Sequence, residues 1–194
     1  MEKVDVCWER ADGHVLRLAR AEDVDAYWAG FNQFDPEGAR LTGSRDHYEK
    51  DEVTGFFLRC VDDPDRRDLL IFSPDGAVLG ESVINEIDWG ARSANFRIAL
   101  FCPEARDRGL GSWATALTRD LAFEGLGLHR LDLDVFSINP RAERAYAKAG
   151  FVREGVLRDA IALPDGTYCD DVLMAILEDD WRALRAAGTG PGPA

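Results

Sequence analysis

Residues 101–121 read FCPEARDRGLGSWATALTRDL. Two glycines, Gly109 and Gly111, stand among arginines just after an apolar run and just before a helical pattern. Glycine lets a backbone approach a ligand closely, arginine suits phosphate, and a helix N-terminus offers unpaired N–H groups with a partial positive charge. The stretch therefore reads as an anion site at a strand-to-helix junction. Behind it Leu110, Ala114, Leu117 and Leu121 recur on one helical face, closed by Gly125 and Gly127.

Working outward, SANFRIALF before the loop is a strand. HRLDLDVFS after it alternates Leu131, Leu133 and Val135 against Asp132 and Asp134, the pattern of a half-exposed strand. NPRAERAYAKAGF then reads as a helix, with Asn139 as N-cap, Pro140 at the first helical position and Gly150 as the stop. A β-hairpin flanks this unit on each side. RDLLIFSPDGAVLGESVINEID turns at Ser73-Pro74-Asp75-Gly76, and GVLRDAIALPDGTYCDDVLMAIL turns at Pro164-Asp165-Gly166. Nearer the N-terminus, RAEDVDAYWAGFNQF and RDHYEKDEVTGFFLRCVDD read as helices, the second ending before Pro64. Strand, glycine loop, helix, strand and helix set between two hairpins predict an α/β fold on a mixed sheet. Residues 1–185 are expected as a single domain, and 186–194, ending in GTGPGPA, as a flexible tail.

Composition bounds the function. Of the 194 residues 46% are hydrophobic and 30% charged, as in a packed globular protein. No apolar run reaches the roughly eighteen residues of a membrane helix, and MEKVDVCWERADGH has no signal-peptide core, which points to a cytoplasmic protein without a membrane partner. Cys7, Cys60, Cys102 and Cys169 are scattered and the three histidines lie far apart, so neither a disulfide framework nor a metal is expected. The net charge of −13 disfavours nucleic acid. It is unevenly spread: residues 91–158 carry eleven Lys+Arg against eight Asp+Glu (net +3), and the rest carries twelve against twenty-eight (net −16). An anionic ligand finds its arginines mid-chain, and the remainder suits a cation.

Three readings compete for the glycine loop. GLGSWA formally matches the dinucleotide pattern GxGxxG/A, but CPEARDR intervenes between strand and glycine, and hairpins rather than repeated βα units surround it. The glycines also serve a plain helix entry. The third reading comes from position: RDRGLG (Arg106–Gly111) has the form [QR]xxGx[GA] between a strand and a helix, and NPRAERAYAKAGF follows one strand later. This pairing resembles the GNAT acyl-CoA-dependent N-acetyltransferases over roughly residues 10–182. Within that family VLGESVINEID, SANFRIALF and DGTYCDDVLMAILEDDW look most like the ribosomal-protein alanine acetyltransferase-like branch, which also holds spermidine and small-molecule acetyltransferases.

The resemblance implies the GNAT fold, a central, mostly antiparallel mixed sheet whose fourth and fifth strands run parallel and splay apart, flanked by helices. It implies transfer of an acetyl group from acetyl-CoA to a primary amine of a protein N-terminus, a polyamine or a small molecule, by direct attack and without a metal. A homodimer fits the same family. N–H groups near Arg108, Gly109, Leu110, Gly111 and Ser112 would converge on the pyrophosphate, Arg106 and Arg108 would touch phosphate, and Arg141 and Arg144 would lie near the adenosine end. Leu100, Phe101 and Cys102 would line the pantetheine cleft, and Asn139, a cap in any case, would bond the pantetheine.

Tyr146 takes the role of acid toward the departing thiolate, the alternative being a core tyrosine on the Ala142, Ala145, Ala149 face. For the base, Glu81 and Asn85 share one face of their strand and Glu86 and Asp88 the other. The resemblance favours Glu81, with Asn85 beside the substrate. Relatives often carry a strand glutamate where this chain has Asn95, so a water-relayed proton stays open. Asp170 is the candidate for holding the acceptor's ammonium, and Trp28 and Trp89 are candidates for shaping its pocket. Two alternatives remain: a non-catalytic acyl-CoA sensor, and a donor such as succinyl-CoA served by Arg97 or Arg158.

Overall fold

The computed structural model describes residues 5–33 and 35–188. In chain order these form β1 (Cys7–Glu9), β2 (Val15–Leu18), α1 (Val24–Phe31), α2 (Pro36–Thr42), α3 (Lys50–Asp62), β3 (Arg67–Phe72), β4 (Val78–Asp88), β5 (Ser93–Leu100), α4 (Leu110–Asp120), β6 (Arg130–Phe136), α5 (Pro140–Lys148), β7 (Val152–Ala162), β8 (Tyr168–Leu177) and α6 (Glu178–Ala186). All eight strands lie in one sheet in the order β1-β2-β3-β4-β5-β6-β8-β7. Every neighbouring pair is antiparallel except β5 and β6. This is the GNAT fold expected from the two motifs. The parallel pair counts as fifth and sixth rather than fourth and fifth because four strands, β1 to β4, precede it, one more than expected.

Strand β3 is buried along its whole length, as its apolar run RDLLIF requires of a central strand covered on both faces. Its alternation sorts the core into two layers. Leu70 and Phe72 join Tyr27, Val53 and Phe57 under α1 and α3. Leu69 and Ile71 join Ile84, Phe96, Leu131 and Leu133 with Ala114, Leu121 and Tyr146 from α4 and α5. Of the stripe read from the sequence Leu110, Ala114 and Leu121 are buried and Leu117 is partly so, with Leu121 opening the π-helical turn Leu121–Gly125 that follows α4.

Both hairpins form at the expected turns. Asn139 caps α5 by accepting the N–H of Ala142 at 3.2 Å. Two helices were not legible as such. The seven-residue α2 carries no apolar stripe, although Asp35 accepts the N–H of Gly38 at 2.7 Å and Pro36 opens the helix. The last helix, α6, continues directly from β8 and packs Trp181 and Leu184 onto the core. It occupies the stretch up to Ala186, where the tail was expected to start, and residues 189–194 of that tail lie outside the described residues.

Candidate active site

The parallel pair meets over three residue pairs: Ser93 with Arg130, Ala94 with Leu131, and Asn95 with Asp132. Beyond them the strands part, while each stays paired to its outer neighbour: β5 to β4 as far as Leu100, and β6 to β8 as far as Phe136. The inner edges of residues 96–100 and 133–136 thus carry backbone polar groups that no longer face each other across a ladder, and such groups call for another partner. The gap opens into a cleft of about 680 Å³. Its walls include Ile98, Ala99 and Leu100 from β5, Asp134, Val135 and Phe136 from β6, and Asn139, Arg141 and Tyr146 from the α5 segment.

The glycine loop closes one end of the cleft. Gly109, the N-cap of α4, has φ +75°, a left-handed conformation that a side chain disfavours. The first helical bond runs from the N–H of Trp113 to the carbonyl of Gly109 at 3.0 Å. The N–H groups of Leu110, Gly111 and Ser112 precede that bond and have no partner within the helix. A methyl group built on Gly111 would meet only Leu100 Cδ1, at 3.7 Å. Open space, donors and the positive end of the α4 dipole coincide here, and this combination fits a pyrophosphate.

The arginines are placed less uniformly than expected. Arg141 lines the cleft and reaches Asp107 at 3.1 Å. Arg106 lines it too, but its guanidinium is nearly buried and donates to Asp35 at 2.7 Å, so it fastens α2 to the loop. Arg108 points elsewhere: it borders a separate cavity of about 320 Å³ with Asp12 and His14, and its carbonyl accepts from Arg10 at 3.0 Å. Arg144 is exposed on α5 and is not among the cleft walls. Phe101 is a wall residue packed edge-on against Tyr27 and Phe31. Cys102 sits behind it at the start of the Pro103–Ala105 turn, outside the lining, and the Leu110 side chain is buried under the loop.

Tyr146 belongs to both the core and the site. Its ring lies 6.1 Å from Phe96 and 6.1 Å from Phe151, and it is also a wall of the cleft. Burial first, and then the negative charge of Asp134, hold its phenol well above the ordinary tyrosine value. It therefore stays protonated, as a proton donor must.

Glu81 is 4% exposed at the cleft floor. Its Oε2 accepts the Tyr27 hydroxyl at 2.9 Å and its Oε1 accepts Arg97 at 2.7 Å. Burial and this carboxylate push the Tyr27 phenol well above its ordinary range. Two expected acceptor residues fall outside the cleft. Asn85 sits four residues further along β4 on the same face, with its Oδ1 buried and unpartnered among the described residues. Asp170 accepts the N–H of Asp159 at 3.0 Å and gives its own N–H to Ser137, so it stitches the end of the β7–β8 hairpin.

The β6–β8 register pairs Phe136 with Asp171 and Asp134 with Leu173, so Asp171 rather than Asp170 shares the face of Asp134. Asp134 itself was read only as the polar half of an alternation, because the splay that exposes it to the cleft depends on long-range pairing. Of the remaining candidates, Trp28, Trp89 and Arg158 lie away from the cleft walls and Arg97 is among them. Trp28 packs in the α1 cluster and Trp89 donates to Asp65. Arg97 is engaged by Glu81, and Arg158 is exposed on β7.

Among the described residues no three or more His, Cys, Asp or Glu cluster to hold a metal, and no helix is long and apolar enough to cross a membrane. Residues 14–152 match the acetyltransferase (GNAT) domain. The spermidine N(1)-acetyltransferase of Vibrio cholerae is 29% identical over 131 residues, 68% of this chain and 75% of that protein. The probable N-acetyltransferase YjcK of Bacillus subtilis is 31% identical over 142 residues, 73% of this chain and 71% of that one. The crystal structure of the Vibrio cholerae spermidine N-acetyltransferase in complex with CoA and spermine superposes with a TM-score of 0.76 at 24% identity, over 88% of this chain and 98% of the other. The chain belongs to the GNAT acetyltransferase family and is an N-acetyltransferase that draws its acetyl group from acetyl-CoA.

Proposed function

We propose that the protein acetylates a primary amine of an aliphatic polyamine, placing it among the spermidine enzymes that the ribosomal-protein alanine acetyltransferase-like branch also holds. The observation that carries this reading is the wall of the cleft on the α1–α3 side. Tyr27, Phe31, Tyr48 and Phe56 line it, Phe136 comes from β6, and the carboxylates of Glu52, Glu81 and Asp134 lie along it. Aromatic faces pack methylene chains and attract ammonium groups, and spaced carboxylates suit a chain of spaced cations. The spermidine acetyltransferase relative supports the same acceptor class.

The donor would enter from the other end. The N–H groups of Leu110, Gly111 and Ser112, with Arg141, would hold the pyrophosphate, and the open edges of β5 and β6 would receive the pantetheine amides. The acceptor nitrogen then attacks the thioester carbon directly, and Tyr146 gives its proton to the sulfur as the C–S bond breaks.

Thiol release measured with spermidine, spermine, putrescine, a lysine peptide and a peptide with a free N-terminus tests the assignment. Polyamines should exceed both peptides in kcat/KM by about tenfold or more, a difference of about 1.4 kcal/mol in transition-state binding. Turnover confined to the peptides would overturn it.

A further inference from the structure

We propose that Asp134, and not Glu81, takes the proton from the attacking amine. The inference rests on the amine acetyltransferase reading and adds the group that makes an incoming ammonium nucleophilic.

The argument starts from strand register. Asn95 and Asp132 are the last parallel partners. Two residues further along each strand, on the same face, stand Arg97 and Asp134. Had the strands stayed together, these two would face each other as an ion pair. The splay separates them, and Arg97 turns back across β5 to donate to Glu81 at 2.7 Å. Asp134 is left on the rim of the gap, in the wall of the cleft.

The other three carboxylates of the cleft walls are all engaged. Glu52 pairs with Arg45, Asp107 with Arg141, and Glu81 with both Arg97 and Tyr27. Asp134 has no ion pair or hydrogen bond among the described residues. Among the described residues it is the one wall carboxylate that no arginine holds.

Its surroundings suit a base. From α5 it is faced by Tyr146, from β8 by Asp171, and from its own strand by Asp132; across the gap lie Asn95 and the Arg97 already held by Glu81. Its charge helps keep Tyr146 protonated. Acid and base thus border one gap, and the charge of the base favours the protonated, working state of the acid. Glu81, by contrast, holds Tyr27 and Arg97 on its two oxygens and reads as the scaffold that shapes the floor.

The step balances as follows. An Oδ of Asp134 takes one proton from the ammonium, breaking N–H and forming O–H. The freed lone pair forms the C–N bond at the thioester carbon. The C–S electrons leave on sulfur, which takes the Tyr146 proton; a second proton from nitrogen restores the phenol, and Asp134 returns its proton to water.

The test compares Asp134→Asn and Glu81→Gln on two acceptors, the best ammonium substrate of the amine panel and methoxyamine, which is neutral at the assay pH and needs no base before attack. Asp134→Asn should lose about 10²-fold in kcat with the ammonium substrate, at the low end for general base catalysis, and less than about threefold with methoxyamine. CoA affinity should match the wild type, and the melting temperature should not fall below it. Glu81→Gln should lower the melting temperature and slow both acceptors equally. An equal loss on both acceptors for Asp134→Asn, a rise in KM with kcat intact, or an acceptor-dependent loss in Glu81→Gln alone would each overturn the assignment. Failure of the polyamine reading looks different: the wild type would prefer another amine, and the same comparison would then run on that amine.

Discussion

Replacing Tyr146 by Phe removes one oxygen and keeps the ring. The ring makes the packing contacts, with Phe96 and Phe151 each 6.1 Å away centroid to centroid. The hydroxyl has no hydrogen-bond partner among the described residues, so its loss should cost stability no more than a few tenths of a kcal/mol. In a chain of this size the melting temperature then shifts by about 1–2 °C at most. Turnover should respond differently. A thiolate leaves fairly well unaided, so protonation by Tyr146 is worth about tenfold to a hundredfold, or about 1.4–2.7 kcal/mol of barrier. Because burial and Asp134 hold the phenol above its ordinary value of 10.0, it stays protonated through neutral and mildly alkaline pH. The ratio of wild-type to Tyr146→Phe rate should therefore stay flat across that range. Single-turnover acetyl transfer is the assay, since slow product release would otherwise hide the chemical step. An unchanged single-turnover rate together with a clear drop in melting temperature would show that the hydroxyl serves the fold and not the reaction.

Gly111→Trp should abolish CoA binding by calorimetry while circular dichroism stays native, because the added bulk enters space where only Leu100 Cδ1 lies within 4 Å; unchanged affinity would move the pyrophosphate site elsewhere. Asp171→Asn should raise the melting temperature at neutral pH. Burial first, and then Asp134, raise the Asp171 carboxyl above its ordinary 3.8, and its Oδ1 is buried without a partner among the described residues. The folded state thus disfavours the charged form: the cost is absent below the unfolded value, where both states hold the proton, and appears as pH rises through the folded one. Thermal scans at neutral pH and at about pH 3.5 should show the gain only in the first, and an equal gain at both would refute the electrostatic cause.

The legible parts of this chain were those set by local chemistry. A cap at Asn139 followed by Pro140, a glycine at the entry of α4, and two Pro-Asp-Gly turns each specify their geometry within a few residues, and each forms where expected. The residues that escaped are fixed by pairing between distant segments. Whether Asp170 or Asp171 shares the face of Asp134 is a one-residue question of register between β8 and β6, and alternation within β8 offers both answers. Alternation left open which face of β4 meets the cleft, the resemblance alone favoured Glu81, and its partners arrive from α1 and β5, so its engagement by Tyr27 and Arg97 was out of reach. Arg106 fitted a phosphate ligand by type and position, and Asp35, which holds it, is 71 residues away.

The short seam between β5 and β6 has a consequence for how the molecule comes apart. Five strands stand on one side of it and three on the other, and three residue pairs of sheet register join them. Beside those pairs the two half-sheets are bridged by helices, with α4 lying on β4 and β5 and touching α5, which lies on β6. Such a junction is the natural place for the sheet to open as two cooperative units, each keeping its own antiparallel ladders. A donor lodged in the gap would replace missing inter-strand bonds with its own and act as a rivet between the halves. Its binding energy then adds directly to the cohesion of the whole, by about 2.7 kcal/mol at a hundredfold excess over its dissociation constant. Slowed amide exchange along the facing edges of β5 and β6, with the β3–β4 interior unchanged, is the signature of that coupling.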